Sequence, residues 1–480
     1  KSVVVVVSRP DYDKNRNNAE LVMIDVNSGK KRVLTQNRSA VSSPRWSPDG
    51  TQLAFISKAG LTKESLNQIF VLSMNGGEAR QVTHAIKGVQ HFAWSPNSTD
   101  IAFATLNEAT NKEEVEKGYT AFEITNNDMF VSSKPLVSHI WLANTETAET
   151  RRLTDGTWTL PQVIPPSAPS SPFSWSPDGK SILFVKVESP YSGDAMTRSI
   201  QLLNVADSTF KPLTKRTKLE AYPNFSPDGN KISYWYKQGD HISSINELWI
   251  TDYSGNEGKV ISSNLNRDLY LSAWLPDSKS FLVGGHNDNK TSLWSMTMDG
   301  KTTPIDLGNI CPSWGFWMDA TVSKAGSIAF TGSEPDKPIE LYYLASTASK
   351  PKQLTNYNEP ISKMTLGKTE TIRWENDKFK HCGIVTYPAD YVKGKKYPLV
   401  LLIHGGPNSA SVEAFSRMGQ LMASEGFFVF EPNYRGSDNL GYEYKLAIIE
   451  DMGEGPGRDV MAGLEKLKSS GLIDVDRIAV

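Results

Sequence analysis

The segment His404-Gly405-Gly406-Pro407 has the residue types of a loop that stabilises an anionic intermediate through its backbone. Glycines let the main chain approach a ligand closely, and backbone N–H groups aimed at a developing oxyanion lower the barrier to acyl transfer. The segment follows the apolar run 399–403, which predicts a strand covered on both faces. Because open α/β sheets bind ligands beyond the carboxyl ends of their strands, we expect a site here. Gly406 is the expected oxyanion donor and Gly405 the alternative; an ordinary structural glycine turn is the competing interpretation.

A second polar signature, Asn433-Tyr434-Arg435-Gly436-Ser437, follows the next apolar run of the chain, 427–430. His404, Tyr434 and Arg435 are the candidate substrate-binding residues of this region. His404 is expected mainly to position its own loop, because no serine or cysteine nucleophile precedes it at a recognisable turn. The Arg435 guanidinium can neutralise a carboxylate of a substrate, but an ion pair within the domain is the favoured alternative.

The elements around these segments alternate between strand and helix patterns. The predicted order is a strand at 383–388, a strand at 397–403, a helix with apolar positions from Val412 to Met422 that stops at Gly426, a strand at 427–430, a helix at 458–468 that stops at Gly471, and a strand at 477–480. Strands that alternate with helices in this way are typical of a parallel α/β sheet.

An internal repeat occupies the chain up to about residue 355. Trp46-Ser47-Pro48-Asp49-Gly50 recurs unchanged at position 175 and with small changes at positions 94, 225 and 274, and a worn copy lies at 322–326. Each copy continues into a short strand, an aromatic strand and a terminal strand. Pro, Asp and Gly supply the conformations of a tight turn, so we assign the motif a turn-forming role and not a catalytic one. Four short strands in each period predict the blades of a β-propeller.

Seven blade-like units are expected, of which six are complete. The first, residues 3–35, lacks its first strand, which a returning segment at 361–366 or 371–374 would supply as a clasp. The glycine segment has the position and composition of the loop that donates an oxyanion N–H in α/β-hydrolases. The predicted fold is therefore a β-propeller of about seven blades over 1–355, a linker or closing segment over 356–380, and the N-terminal part of an α/β-hydrolase domain over 381–480.

Composition excludes several classes of protein. Lys and Arg number 51 against 53 Asp and Glu, for a net charge of −2, so neither nucleic acid nor an anionic membrane surface is an expected partner. No apolar run approaches the length of a membrane-spanning helix. Cys311 and Cys382 are the two cysteines of the sequence, which predicts two buried thiols and no disulfide framework or zinc site. We expect no metal and no cofactor.

The motifs together resemble the prolyl oligopeptidase family of serine peptidases, particularly its acylaminoacyl peptidase and dipeptidyl peptidase-like branch. The resemblance covers nearly the whole sequence: the Trp-Ser-Pro-Asp-Gly repeats, Thr371-Ile372-Arg373-Trp374, the segments 404–407 and 433–437, and Asp476-Arg477-Ile478-Ala479-Val480. It implies a propeller that covers an α/β-hydrolase domain, a Ser-His-Asp triad in the cavity between them, and a size filter that admits short peptides.

The chain departs from the family pattern at the nucleophile. In this family the Arg-Ile-Ala-Val strand leads into a Gly-x-Ser-x-Gly turn, and no such pentapeptide occurs in the 480 residues. We therefore identify no catalytic residue in this sequence and expect the triad beyond Val480. To explain the missing nucleophile, we favour the hypothesis that these residues are part of a longer polypeptide. The alternative is a genuine fragment whose catalytic half lies elsewhere. Lys1 opens directly into a β-branched run, which suggests a processed or truncated start and leaves the compartment unassigned.

The favoured function is a serine exo- or oligopeptidase; an esterase of the same fold and a non-catalytic binding propeller are the alternatives. The expected partners are peptide substrates, and a homo-oligomer stays open. A dipeptidyl enzyme needs an acceptor for the substrate α-ammonium. The acidic insertion at 107–138 offers Glu123 as a candidate substrate-binding residue, together with Glu113, Glu114 and Glu116, although a solvated excursion explains this insertion as well.

Overall fold

A computed structural model describes residues 1–60, 62, 64–123, 133–161, 172–191, 194–313, 315, 317–406 and 408–480. The chain folds into two compact units. The first comprises Lys1–Tyr236 with Trp249–Lys259, and the second comprises Lys237–Leu248 with Val260–Val480.

Among the described residues, seven small antiparallel sheets follow one another in sequence order. The first has three strands and the next five have four each: β1 (Ser2–Asp11), β2 (Arg16–Asp25) and β3 (Lys31–Val33); β4 (Ser42–Trp46), β5 (Gln52–Lys58), β6 (Asn67–Ser73) and β7 (Arg80–Gln81); β8 (Val89–Trp94), β9 (Asp100–Leu106), β10 (Ser138–Asn144) and β11 (Thr150–Arg152); β12 (Ser174–Trp175), β13 (Ser181–Lys186), β14 (Ser199–Asn204) and β15 (Phe210–Pro212); β16 (Ala221–Phe225), β17 (Ile232–Lys237), β18 (Asn246–Thr251) and β19 (Lys259–Val260); β20 (Leu271–Trp274), β21 (Ser280–Asn287), β22 (Lys290–Thr297) and β23 (Thr302–Pro304). The seventh consists of β24 (Cys311–Pro312), β25 (Ala320–Val322), β26 (Ile328–Glu334), β27 (Lys337–Leu344) and β28 (Lys352–Gln353). A short helix, α1 (Lys112–Glu116), lies between β9 and β10.

The repeated motif forms the turn between the first two strands of a sheet. In the second sheet the Ser47 hydroxyl donates to Asp49 Oδ1 at 2.5 Å, the Thr51 N–H donates to the same oxygen at 3.0 Å, and Gly50 has a φ of +74°. The hydrogen bond from Ser47 lowers the pKa of the Asp49 carboxyl. The equivalent Ser–Asp hydrogen bonds recur at Ser176 and Ser226. These contacts support the turn-forming role assigned to the motif.

The first sheet has the three strands that the sequence predicted, but the proposed clasp was wrong. Residues 371–374 lie in a strand of the C-terminal sheet, where Trp374 pairs with His381. The other candidate, 361–366, includes the end of a short helix. Within the described residues, neither segment adds a strand to the first sheet, which has the order β1-β2-β3.

An eighth sheet follows, with helices beside it, and all of it belongs to the second unit. Its strands are β29 (Thr369–Asn376), β30 (Phe379–Thr386), β31 (Tyr397–Leu401), β32 (Phe428–Pro432) and β33 (Ile473–Ala479), and the helices of this region are α2 (Glu359–Ser362), α3 (Arg417–Ser424), α4 (Tyr442–Leu446) and α5 (Glu454–Lys468). The strand order is β29-β30-β32-β31-β33. The last three are parallel as predicted, whereas β29 and β30 pair antiparallel, so the sheet is mixed.

Helix α5 packs on this sheet through a glycine. A Cβ atom at Gly463 would lie 2.8 Å from the Trp374 ring and 2.9 Å from the Phe430 ring, well inside van der Waals contact. Phe428 and Phe430 are fully buried in the same core. Close contact between the helix and the sheet therefore depends on the absence of a side chain at Gly463, and it places α5 directly against β29 and β32.

Helix α3 begins later than the sequence predicted. Ser416 is its N-cap and accepts a hydrogen bond from the Gly419 N–H, so Val412 lies before the helix. The apolar side chains of Met418 and Leu421, two of the residues whose spacing predicted the helix, are exposed. In the described part of the chain, no helix combines the length and hydropathy needed to cross a membrane.

Candidate active site

The two polar signatures meet at one edge of the eighth sheet. Strands β31 and β32 are parallel neighbours, so the segments that follow their carboxyl ends emerge side by side. We call residues 402–411 the glycine loop and residues 433–439 the anchor loop. His404 Nε2 lies 3.0 Å from Ser437 Oγ, and the Tyr434 ring stacks on the His404 ring with centroids 4.6 Å apart. The Tyr434 hydroxyl also donates to the His404 carbonyl at 2.5 Å.

The hydrogen-bond pattern indicates which nitrogen of His404 carries the proton. Nδ1 faces the Gly405 carbonyl at 3.2 Å and is assigned as the donor. Ser437 Oγ accepts from the Tyr434 N–H at 3.1 Å and is then free to donate to His404 Nε2. Burial lowers the pKa of His404 below its ordinary value, against the opposing hydrogen bond to Gly405, which favours a neutral ring. A neutral ring held at both nitrogens suits a positioning role.

Gly405 and Gly406 present backbone donors at the surface of the loop. Both residues are exposed, and within the described residues neither N–H donates to another group of the protein. Gly406 has a φ of +129°, which side-chain-bearing residues rarely adopt, and a Cβ there would lie 2.9 Å from the Asn408 nitrogen. Pro407, the last residue of the motif, lies outside the described residues. The geometry fits a loop whose backbone N–H groups are available to a ligand.

The anchor loop is buried and holds the glycine loop through its backbone. The Asn433 side chain accepts from the Ser411 N–H at 2.8 Å and donates to the Ser411 carbonyl at 2.9 Å. The Asp438 N–H donates to the Ser409 carbonyl at 3.1 Å. Asn433 and Asp438 have no exposed surface. The position of the glycine loop therefore depends on the anchor loop.

Ser437 and His404 have the contact of a nucleophile and its base, but their setting differs from that of a catalytic pair. Ser437 is completely buried, and its hydroxyl already accepts the Tyr434 N–H. A substrate carbonyl cannot reach an oxygen that is closed off from solvent. We therefore interpret this contact as part of the support for the loop.

Arg435 forms the ion pair that the sequence offered as the alternative to substrate binding. Its Nε donates to Asp459 Oδ2 at 2.8 Å, its Nη2 donates to Asp459 Oδ1 at 2.7 Å, and its backbone N–H donates to Oδ2 at 3.0 Å. Asp377 lies 2.5 Å from the same Nη2. Burial alone would raise the pKa of Asp459, but the hydrogen bonds from Arg435, His381 and Asn376 outweigh it and hold that pKa well below its usual range. Arg435 thus ties the anchor loop to α5.

A second buried cluster, which the sequence did not predict, surrounds Asp438 near the C-terminal end of the anchor loop. The Asp438 carboxylate contacts His286 of β21 and the hydroxyl of Tyr270, and Lys445 of α4 pairs with Asp268. All five side chains are buried. An aspartate directly after the Asn-Tyr-Arg-Gly-Ser motif was the available signal, but its partner His286 is 152 positions away in the sequence.

Glu123 belongs to the first unit, where it is exposed. Its carbonyl accepts a hydrogen bond from the Tyr191 hydroxyl at 3.3 Å. Glu113, Glu114 and Glu116 lie on or beside the exposed helix α1. Cys311 and Cys382 are both free and buried, as predicted. Among the described residues, no group of three or more His, Cys, Asp or Glu side chains is arranged to hold a metal ion.

The known proteins that this chain resembles in sequence and in structure are peptidases. The model of the prolyl oligopeptidase family matches residues 413–480. The dipeptidyl-peptidase 5 of Porphyromonas gingivalis is 25% identical over an alignment that covers 100% of this chain and 71% of that protein. The acylaminoacyl peptidase of Pyrococcus horikoshii superposes with a TM-score of 0.78 at 20% identity and covers 99% of this chain and 71% of its own. A puromycin-hydrolyzing peptidase of Mycobacterium tuberculosis gives a TM-score of 0.71 at 14% identity, again with 99% and 71% coverage.

The structural neighbours confirm the predicted fold class, a β-propeller of about seven blades followed by a domain of the α/β-hydrolase fold. The family match and the named relative add the chemical class, a serine peptidase. The resemblance that the motifs predicted is therefore confirmed, and the chain is related to the prolyl oligopeptidase family of serine peptidases.

Proposed function

We propose that this chain forms the propeller and the first part of the catalytic domain of a peptidase that cleaves short peptides. The observation that carries the proposal is the exposed backbone of Gly405 and Gly406, whose N–H groups donate to no other described residue and lie beyond the carboxyl ends of parallel strands. In the proposed mechanism a serine attacks the peptide carbonyl, a histidine takes its proton and an aspartate orients the histidine. The Gly406 N–H stabilises the resulting oxyanion.

The triad itself is proposed to lie beyond Val480, since the 480 residues contain no Gly-x-Ser-x-Gly pentapeptide. His404 is half-buried and keeps surface that a bound peptide can contact. Tyr434 and Arg435 are nearly buried and engaged with His404 and Asp459. We propose that these two act on the substrate through the loop that they hold, and not by contact.

A fluorophosphonate probe provides the direct test. The polypeptide that carries these residues together with the catalytic serine is expected to react with the probe and to hydrolyse peptide amides. Hydrolysis of esters without amides would favour an esterase. Absence of both labelling and hydrolysis would contradict the proposal and favour a binding propeller.

The propeller is proposed to restrict substrates by size, which a series of peptides of increasing length tests. We expect kcat/KM to fall sharply once the peptide exceeds the size that the filter admits, while a protein substrate resists cleavage. An unfolded protein chain that is cleaved as fast as a tripeptide would rule out the filter. The measurement needs matched sequences around the scissile bond, so that length is the one variable.

Glu123 is proposed to accept the α-ammonium of peptides with a free N-terminus. The variant Glu123→Gln keeps the side-chain shape and removes the charge. We expect it to raise KM for free peptides about tenfold, since a hydrogen-bonded ion pair contributes about 1.5 kcal/mol or more, and to leave N-acylated peptides unaffected. Glu149→Gln, at an exposed carboxylate of the same unit outside the acidic insertion, is the matched control. Equal KM values for wild type and Glu123→Gln on free peptides would exclude this role.

A further inference from the structure

We infer that the sixth sheet supports the glycine loop through a buried hydrogen-bond network, and that His286, Tyr270 and Asp438 are positioning residues of the proposed peptidase. The inference rests on the proposed function, because it concerns the placement of the Gly406 N–H. It adds a requirement that the sequence motifs do not predict: the sixth sheet of the propeller must be in place for the glycine loop to be aligned.

Both oxygens of the Asp438 carboxylate are held by groups of the sixth sheet or next to it. His286 lies on β21, and its Nδ1 is 2.6 Å from Asp438 Oδ1. The hydroxyl of Tyr270, the residue before β20, donates to Asp438 Oδ2. His286 and Asp438 have no exposed surface. A buried carboxylate with partners on both oxygens has little freedom to move, because leaving either partner would expose it to an apolar interior.

The network continues past Tyr270 and is closed by a lysine. The Tyr270 hydroxyl also lies 3.4 Å from Asp268 Oδ2, and Lys445 of α4 forms an ion pair with the same carboxylate. The other oxygen of Asp268 accepts the backbone N–H and the side-chain amide of Asn246, each at 2.8 Å. Every carboxylate oxygen in the cluster therefore has a donor, and removal of one partner is expected to disturb its neighbours.

A second contact fixes the same end of the anchor loop. The Asp288 N–H donates to the Asn439 carbonyl at 3.0 Å, and the Asn439 amide donates to the Asp288 carbonyl at 2.8 Å. Asp288 directly follows β21 and is held from β29 by the Arg373 guanidinium. The turn between β21 and β22 thus serves as a rigid support for residues 438 and 439.

Movement of Asp438 would be transmitted to the glycine loop by two short routes. Its own N–H donates to the Ser409 carbonyl at 3.1 Å, and its neighbour Ser437 contacts His404 Nε2 at 3.0 Å. The Asp438 carboxylate itself makes no hydrogen bond to the glycine loop among the described residues. Its effect on Gly406 is therefore indirect, which makes it a positioning residue and not a catalytic one.

The test uses the polypeptide that also carries the catalytic serine, with three variants. His286→Leu removes the donor at similar volume, His286→Asn keeps an N–H near the position of Nδ1, and Tyr270→Phe removes one hydroxyl only. Each is assayed on a peptide ester and on its thionoester, in which sulfur replaces the carbonyl oxygen. Sulfur is a larger and poorer hydrogen-bond acceptor, so the ratio of oxygen to sulfur rates reports how well the oxyanion donors are aligned.

We expect His286→Leu to lower kcat for the ester about tenfold or more at nearly constant KM, because displacement of a catalytic group by about 1 Å costs up to about a hundredfold. The thionoester rate should change little, so the oxygen-to-sulfur ratio should fall about tenfold. His286→Asn should retain most of the ratio, and Tyr270→Phe should lower it by a smaller factor. Tyr270→Phe alone decides the question if His286→Leu does not fold.

Two results would contradict the inference in different ways. A wild-type enzyme that hydrolyses the ester, with an oxygen-to-sulfur ratio unchanged in both His286→Leu and Tyr270→Phe, would leave the network a purely structural role even if kcat fell. A wild-type protein that hydrolyses neither substrate and does not react with the fluorophosphonate probe would overturn the proposed function, and the inference with it.

Discussion

Replacing Asp459 by alanine is expected to destabilise the C-terminal sheet by about 3 kcal/mol or more, because removal of one partner of a buried ion pair leaves the other charge uncompensated. Asp459 has no exposed surface, and Arg435 binds both of its carboxylate oxygens. Asn376 also donates to Oδ1 at 2.7 Å. Asp377 remains as a partner for Arg435, but it is half exposed and replaces little of the lost interaction. Hydrogen exchange of the peptide that spans α5 measures the local free energy of opening at pH 7.

Glu465→Gln provides the matched control on the same helix. Glu465 pairs with Lys468 at 2.7 Å on the exposed face of α5. Surface ion pairs of this kind contribute at most about 1 kcal/mol, so the control should change the opening free energy only slightly. An Asp459→Ala protein as stable as the control would show that the Arg435 interaction does not hold the anchor loop.

The destabilisation should also depend on pH in a defined direction. The pKa of Asp459 in the folded protein is depressed by its hydrogen bonds. A depressed carboxyl pKa contributes stability that is fully present above the ordinary value near 4 and is lost as the pH falls toward the folded-state pKa. The difference in unfolding temperature between wild type and Asp459→Ala should therefore be greatest at neutral pH and shrink below about pH 4. A difference that grows in acid would contradict this account.

The seven sheets could be predicted because their signal is local. The turn at Ser47-Pro48-Asp49-Gly50 depends on hydrogen bonds within five residues and on one positive φ, so each copy carries its own structural information. The same is true of Gly405 and Gly406, because the groups proposed to act on the substrate are their own backbone N–H groups. Features of this kind can be predicted from a single sequence, because they do not depend on residues that are distant along the chain.

The clasp prediction was wrong because residues 371–374 have a much nearer pairing partner in β30. Strands β29 and β30 are joined by Asp377 and Lys378 alone, with Asn376 paired to Phe379 and Asp377 at a φ of +51°. A two-residue hairpin forms at a far lower entropic cost than a pairing across most of the chain. The polar pair between two strand-like runs was the signal for it.

Helix α3 shows where periodicity fails. Its apolar spacing predicted the helix correctly, but Met418 and Leu421 are exposed, and the buried face carries Gln420. The Gln420 amide donates to the Gly367 carbonyl at 3.0 Å and accepts from the Gly367 N–H at 2.8 Å. The orientation of α3 is thus accompanied by two hydrogen bonds between Gln420 and the backbone of Gly367, and hydrophobicity alone does not predict it. The pairing of His286 with Asp438 is hidden from the sequence for the same reason.

Substitution of Gly406 by alanine is expected to have the largest effect on catalysis, a fall of about a hundredfold to a thousandfold in kcat, as for removal of one oxyanion-hole donor. Its φ of +129° and the 2.9 Å approach of a Cβ to the Asn408 nitrogen require the loop to move. Gly405→Ala is the matched control, because a Cβ there meets nothing within 4 Å and its φ lies outside the positive region. It also keeps its own N–H. Steady-state kinetics on a short peptide should therefore show a lowered kcat at similar KM for Gly406→Ala and nearly wild-type values for Gly405→Ala. Equal activity of the two variants would mean that the Gly406 N–H does not face the reacting carbonyl. A loss confined to Gly406→Ala would tie turnover to the backbone conformation at this one position.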